Sequence, residues 1–167
     1  DVATVTLKNI ETVVANVQAT DATGGQLDAA AWTGVTTLSN AGSTAGSLLS
    51  VSGLALTTTV YASGNTDVTL NYRGDLSGSA DTVSVQLAKF GTGTAQTLSG
   101  TGEVILGAGV DAVNVSLAGT SFVSIDGDDI KTITLTGDGA ATVLTNDAIT
   151  RFDASALVGT NAFTFSG

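Results

Sequence analysis

Residues 103–144 read EVILGAGVDAVNVSLAGTSFVSIDGDDIKTITLTGDGAATVL. Within this stretch Val113-Asn114-Val115-Ser116-Leu117 and Ile133-Thr134-Leu135-Thr136 alternate apolar with polar side chains. A period of two gives a strand with one buried and one wet face. The apolar centres Val104, Val113, Val123, Ile133 and Val143 recur at roughly ten-residue spacing, with Gly, Asp or Asn in most gaps. Short-period regularity of this kind marks a solenoid, and two strand-turn units would make one coil of about twenty residues. The expected fold is therefore all-β, a right-handed parallel β-helix or β-solenoid with imperfect coils, because a right-handed crossover is what twisted parallel strands favour. The alternative is a β-sandwich with Greek-key connections, which also needs several short strands separated by turn residues.

Upstream, Val68-Thr69-Leu70-Asn71-Tyr72 and Val83-Ser84-Val85-Gln86-Leu87 repeat the alternation. Aromatic residues are few, so Val, Leu, Ile and Ala must fill the interior, which suits a narrow stacked-coil core. A longer-range echo links Leu27-Asp28-Ala29-Ala30-Ala31-Trp32-Thr33-Gly34 with Phe152-Asp153-Ala154-Ser155-Ala156-Leu157-Val158-Gly159. In each copy the Asp is placed to cap exposed amides, the apolar pair to pin the turn, and the Gly to permit a left-handed exit, which predicts a short helical corner. At 167 residues the chain is expected to form one elongated domain. It ends mid-pattern at Phe163-Thr164-Phe165-Ser166-Gly167 and reads as a fragment of a longer protein.

Fifteen acidic against five basic residues, a net charge of −10, make nucleic acid or an anionic membrane surface a poor partner, since phosphate binding needs a basic stripe. Divalent cations are the natural counterions. Without cysteine no disulfide staples the chain, which is compatible with a secreted bacterial protein that uses metal for rigidity. No apolar run approaches the length of a membrane span, and no basic, apolar leader is found, so any export signal is expected elsewhere in a parent protein.

The acids concentrate in glycine turns. Asp111, Asp126, Asp128, Asp129 and Asp138 all lie between short Val/Ile/Leu strands, in a chain with no histidine, cysteine, methionine or proline. Hard oxygen ligands at turns suit Ca²⁺, and the missing imidazole and thiol remove the usual ligands of zinc, copper and iron. Gly107-Ala108-Gly109-Val110-Asp111-Ala112-Val113 resembles the G-x-G-x-D-x-U portion of a calcium-binding nonapeptide, with Leu106 where its leading glycine would stand. An ordinary β-turn is the other reading of those residues. Asp126-Gly127-Asp128-Asp129 sets three carboxylates around one glycine, an arrangement that must be either fully solvated or bridged by a cation. Gly137-Asp138-Gly139, about one unit further on, is a candidate for the same or a neighbouring site, or a plain turn. The expected metal residues are thus Gly107, Gly109, Asp111, Asp126, Asp128, Asp129 and Asp138.

Catalytic residues are harder to find. No histidine is present to activate a serine, and the only glutamates, Glu11 and Glu103, have no local context that would raise a pKa. A calcium-dependent polysaccharide lyase would have Arg73 or Lys131 as its base, both of which read as solvated face or turn residues. No enzyme is expected. Thr4-Val5-Thr6, Thr132-Ile133-Thr134 and Thr57-Thr58-Thr59 place hydroxyls on outward strand faces, either as good β-formers or as an interrupted ice-binding array.

Taken with the Phe-Asp-Ala-Ser-Ala corner, these turns and Thr-rich strands resemble the repeat-in-toxin surface-layer (S-layer) proteins of Gram-negative bacteria. The likeness is best from Ser121 to Phe165, and the opening VTLKNIETVVANV has the family's apolar-x-x-Ile-Glu-Thr-Val look, while residues 40–100 match in style only. The full nonapeptide array of the family is missing. The resemblance implies a type I-secreted, calcium-dependent, largely β-helical segment at the cell surface whose partner is itself, in a two-dimensional lattice. Cell-surface polysaccharide would be held through other regions. Giant adhesins share this vocabulary, which leaves a glycan-binding or ice-binding segment as the alternative function.

Overall fold

The computed structural model describes residues 3–18, 24–92, 102–145, 148–158 and 163–166. In chain order the strands are β1 (Ala3–Thr4), β2 (Thr12–Val14), β3 (Gly25–Asp28), β4 (Thr37–Asn40), β5 (Leu48–Ala55), β6 (Thr59–Gly64), β7 (Asp67–Arg73) and β8 (Thr82–Phe90). They continue as β9 (Gly102–Leu106), β10 (Ala112–Ala118), β11 (Ser121–Gly127), β12 (Thr132–Gly137), β13 (Ala141–Leu144), β14 (Arg151–Leu157) and β15 (Phe163–Ser166). Odd-numbered strands form an eight-stranded sheet and even-numbered strands a seven-stranded one, each ordered strictly along the chain. Every pairing between these strands is parallel. The chain thus winds as a right-handed, two-sided parallel β-solenoid. The Greek-key sandwich, which needs antiparallel pairing, does not occur.

Coil length follows the sequence spacing where that spacing is regular. Ala112 pairs with Thr132 and Ser121 with Ala141, each a step of twenty residues. Upstream the steps are uneven, and Val68 pairs with Val104, thirty-six residues away. Register shifts between Val51 and Leu54 and between Ser63 and Gly64 interrupt the ladder in this region.

The inward residues stack in columns. Val83, Val113 and Ile133 occupy one column of the even sheet, and Val85, Val115 and Leu135 the next; each of the six is at most 1% exposed. A single narrow core runs between the sheets, filled by aliphatic side chains with Trp32, Tyr72 and Phe90 as its buried aromatics. Burial of each large aliphatic side chain contributes about 1.5–3 kcal/mol.

The expected helical corners are absent, and the described residues contain no helix. In the first copy the Asp28 side chain accepts the Ala30 amide at 2.9 Å, as an N-cap would. The Thr33 amide, which would close a helical turn on Ala29, instead donates to the Leu7 carbonyl of the preceding coil at 2.9 Å. The Arg73 guanidinium takes the carbonyls of Ala29 (3.0 Å), Ala30 and Trp32 (2.8 Å). Inter-coil bonds therefore outcompete the local helix. In the second copy the residues from Phe152 belong to β14, and the register shift opposite Thr134 and Thr136 is filled by Asp153 accepting the Ser155 amide at 3.0 Å. Gly159 of that copy lies outside the described residues.

Candidate functional site

The two sheets define two edges, and the acidic turns divide between them. Residues 74–81, 107–111 and 128–131 connect an odd strand to the next even strand and lie on one edge in three successive coils. Residues 138–140 connect β12 back to β13 and lie on the opposite edge. Asp138 therefore cannot share a site with Asp126, Asp128 and Asp129. Asp138 is exposed, and the amides of Asp138 and Gly139 donate to the Leu117 carbonyl of the preceding coil at 3.2 and 3.3 Å.

On the shared edge the turns climb like stairs. The Asp111 amide donates to the Asp81 carbonyl at 2.9 Å, and the Asp111 carboxylate accepts the Asp81 amide at 3.0 Å. One coil further, the Lys131 and Thr132 amides donate to the Asp111 carbonyl at 2.8 and 3.1 Å. The Asp129 carboxylate reaches back to the Gly109 amide at 2.8 Å. Each carboxylate thus ties a turn amide to an adjacent coil, a charge-assisted bond stronger than a neutral one. Gly109 has φ +87°, and a Cβ there would meet Leu76 Cβ at 2.6 Å. At Gly107 a Cβ would run into the Asn71 side chain. The G-x-G-x-D pattern is explained by this stacking: the glycines let the turn settle on the coil below, and the Asp caps it.

Asp126, Asp128 and Asp129 do not converge. Asp126 belongs to β11 and pairs with Ile105, Asp129 is engaged by Gly109, and Asp128 is exposed in the bend between them. Among the described residues no group of three or more carboxylate, imidazole or thiol side chains is arranged to hold a metal ion.

A second acidic group, on the odd sheet, escaped the sequence reading. The Asp67 carboxylate accepts the Glu103 amide of the next strand at 2.9 Å, and burial raises the Asp67 pKa against the lowering effect of that bond. Glu103 is raised by burial, with added repulsion from Asp67 and Asp126. The expectation that Glu103 lacks such a context is corrected here: the context comes from neighbouring coils and is invisible in the local sequence. Asp81 is a further turn acid of this edge, and Asp81-Thr82-Val83 and Asp111-Ala112-Val113 share the spacing of Asp to first inward Val, a local signal that pairs them.

Other expected residues are placed as follows. Arg73 is bound to three backbone carbonyls and is a staple between coils. Lys131 is exposed in the turn before β12. The threonines of β12 stand beside Ala112, Asn114 and Ser116 on one side and Arg151, Asp153 and Ala156 on the other, whereas Thr12, Thr37 and Thr59 align across β2, β4 and β6. Thr58 is not outward: it is 2% exposed and its hydroxyl donates to the Val35 carbonyl at 3.2 Å.

The fold defines the chain as a β-solenoid protein. No protein-family model, no curated protein and no solved structure matches it.

Proposed function

We propose that the chain is a structural segment of a secreted, calcium-dependent surface-layer protein that assembles with copies of itself into a two-dimensional lattice. The observation that supports this most is the outer face of the even sheet. There Ser84, Asn114, Thr134 and Asp153 form one column, and Tyr61, Gln86, Ser116 and Thr136 the next. Polar side chains repeated at the ladder spacing, most of them small, make a broad surface suited to lateral packing. Ca²⁺ enters as the counterion that relieves the repulsion between copies of charge −10, since monovalent salt screens that repulsion without reversing it. The test is electron microscopy of the purified protein with calcium and with chelator. Ordered sheets that dissolve on chelation are the expected result, and dispersed particles under both conditions overturn it.

One observation favours the alternative, a glycan-binding segment of a large adhesin. A shallow trough of about 600 Å³ on the even sheet is lined by Tyr61, Ser63, Lys89 and the small residues Gly64, Ala88 and Gly119. An aromatic ring beside hydroxyl and ammonium groups is a surface on which a sugar ring can lie. Retention on a polysaccharide column, lost in Tyr61→Ala, would support that reading over the lattice.

A further inference from the structure

We infer that the trough on the even sheet recognises a negatively charged sugar, a uronate ring of an acidic polysaccharide, with Lys89 taking the carboxylate and Tyr61 the face of the ring. This rests on the glycan-binding reading of the trough and names its ligand class; it is independent of the lattice. Lys89 is the extra residue of a β-bulge. Ser63 pairs with Ala88 and Gly64 with Phe90, which leaves Lys89 without a partner in β6. Its backbone is left-handed, with φ +50°, where a β-carbon is strained and glycine is not. The coils on either side do have glycine at this level. Gly64 (φ +81°) follows Ser63 and Gly119 (φ +69°) follows Ala118, and Ser63 and Ala118 are the two partners of Ala88. A lysine thus stands where the backbone alone favours glycine, at a bulge, the irregularity by which strands re-aim a side chain. Gly119 makes room for it. A Cβ at Gly119 would come within 3.0 Å of Lys89 Cγ and 3.5 Å of its Cε, so the lysine stem lies along the glycine at the trough that both residues line.

Charge and shape narrow the ligand. The even strands contain three charged residues, Lys89, Arg151 and Asp153, and the last two are paired with each other at 2.6 Å. Lys89 has no ion pair among the described residues. Of the acids near this edge, Asp67 opens β7 on the odd sheet and Asp138 stands in the turn after β12, and neither lines the trough. The turn acids Asp75, Asp81, Asp111, Asp128 and Asp129 lie on the opposite edge. An unpaired ammonium on an acid-free patch of an otherwise acidic protein selects an anion. The floor of the trough, Gly64, Ala88, Ala118 and Gly119, has no side chain larger than a methyl group, so a flat ring can settle on the strands. Tyr61 stands between Ser39 and Gln86, the one aromatic residue on the outer face of the even strands among the described residues. It supplies the apolar surface that the C–H side of a sugar ring needs, while Lys89 serves the carboxylate as a point charge without demanding a fixed bidentate geometry.

Binding of the purified chain to polygalacturonate, to its methyl ester and to dextran tests this. Chelator keeps divalent cations from bridging acid to acid, and about 0.15 M salt limits the reach of distant charges to about 8 Å. The ester keeps the ring and removes the charge, so polygalacturonate should bind about tenfold more tightly than the ester. Lys89→Gln should weaken polygalacturonate binding about tenfold and leave the ester unchanged. Lys89→Gly should lose the preference too, while melting close to wild type because glycine suits the left-handed backbone, which separates loss of the contact from loss of the fold. Lys131→Gln removes the same charge on the opposite edge and should change nothing. Tyr61→Ala should weaken both polymers. Equal binding of acid and ester, binding of the ester or dextran alone, or a Lys89→Gln variant that loses nothing overturns the inference and leaves the glycan reading standing. Binding of none of the three polymers overturns both.

Discussion

At the scale of single residues, stability rests on a few positions where coils touch. Gly109 combines a left-handed backbone with a near contact to Leu76, so Gly109→Ala should destabilise the fold by about 1–3 kcal/mol, measured by urea denaturation. The acids divide by environment. Glu103 has its pKa raised by burial and by Asp67 and Asp126, so the folded state holds that proton more tightly than the unfolded chain does. The penalty for its charged form is complete above the folded pKa and fades as pH falls through it. Glu103→Gln should accordingly raise the melting temperature at pH 7, with the gain shrinking toward the ordinary glutamate value of about 4.3. Asp153 behaves oppositely, its pKa lowered by the Ser155 hydroxyl and amide, so Asp153→Asn should lower melting at neutral pH and matter less in acid. The sequence showed where the acids are but not which backbone amide each one meets. Asp111 and Asp81 are thirty residues apart, and although their matching Asp-to-Val spacing aligns the two turns, only the folded coils show that the Asp111 carboxylate accepts the Asp81 amide at 3.0 Å.

At the scale of elements, the strands were legible because burial alternates where the letters alternate: Val113, Val115 and Leu117 are buried while Asn114 is exposed and Ser116 partly covered. The corners were not legible, because their backbone bonds go to other coils. Asp28 supplies the capping interaction that its sequence position promises, yet the following amides and carbonyls are taken by Leu7 and Arg73. Arg73 reaches from the end of β7, two strands along its sheet from β3, to hold the turn that follows β3. Replacing it with alanine removes a charged donor from three carbonyls and should cost about 1.5–3 kcal/mol. Arg73→Lys should recover only part of this, because an ammonium lacks the planar fork that spans several acceptors. Chemical denaturation of both variants measures the difference.

At the scale of the whole molecule, each coil touches mainly its neighbours, so stability approximates a sum of coil and interface terms. Hydrogen exchange should be slowest in β5 to β12, which have a paired strand on both sides, and fastest in β1, β2, β14 and β15, which have one. The period of the last coils was readable because their turns are short and glycine-marked. The middle was not, since the step from coil to coil is uneven, thirty-six residues from Val68 to Val104, and register shifts fall between Val51 and Leu54 and between Ser63 and Gly64. The strict chain-ordered stacking also has a mechanical consequence. The hydrogen bonds of a solenoid run along its axis, and the first and last strands lie at opposite ends of that axis. Tension between the termini would load the ladder one coil at a time instead of shearing many strands together. In the regular region, where Ala112 pairs with Thr132, each yielding coil would release twenty residues, about 65–70 Å of slack at full extension. Single-molecule pulling should therefore trace a low-force series of similar steps, so that a protein stretched between fixed points would lengthen in small increments and rewind coil by coil when slackened.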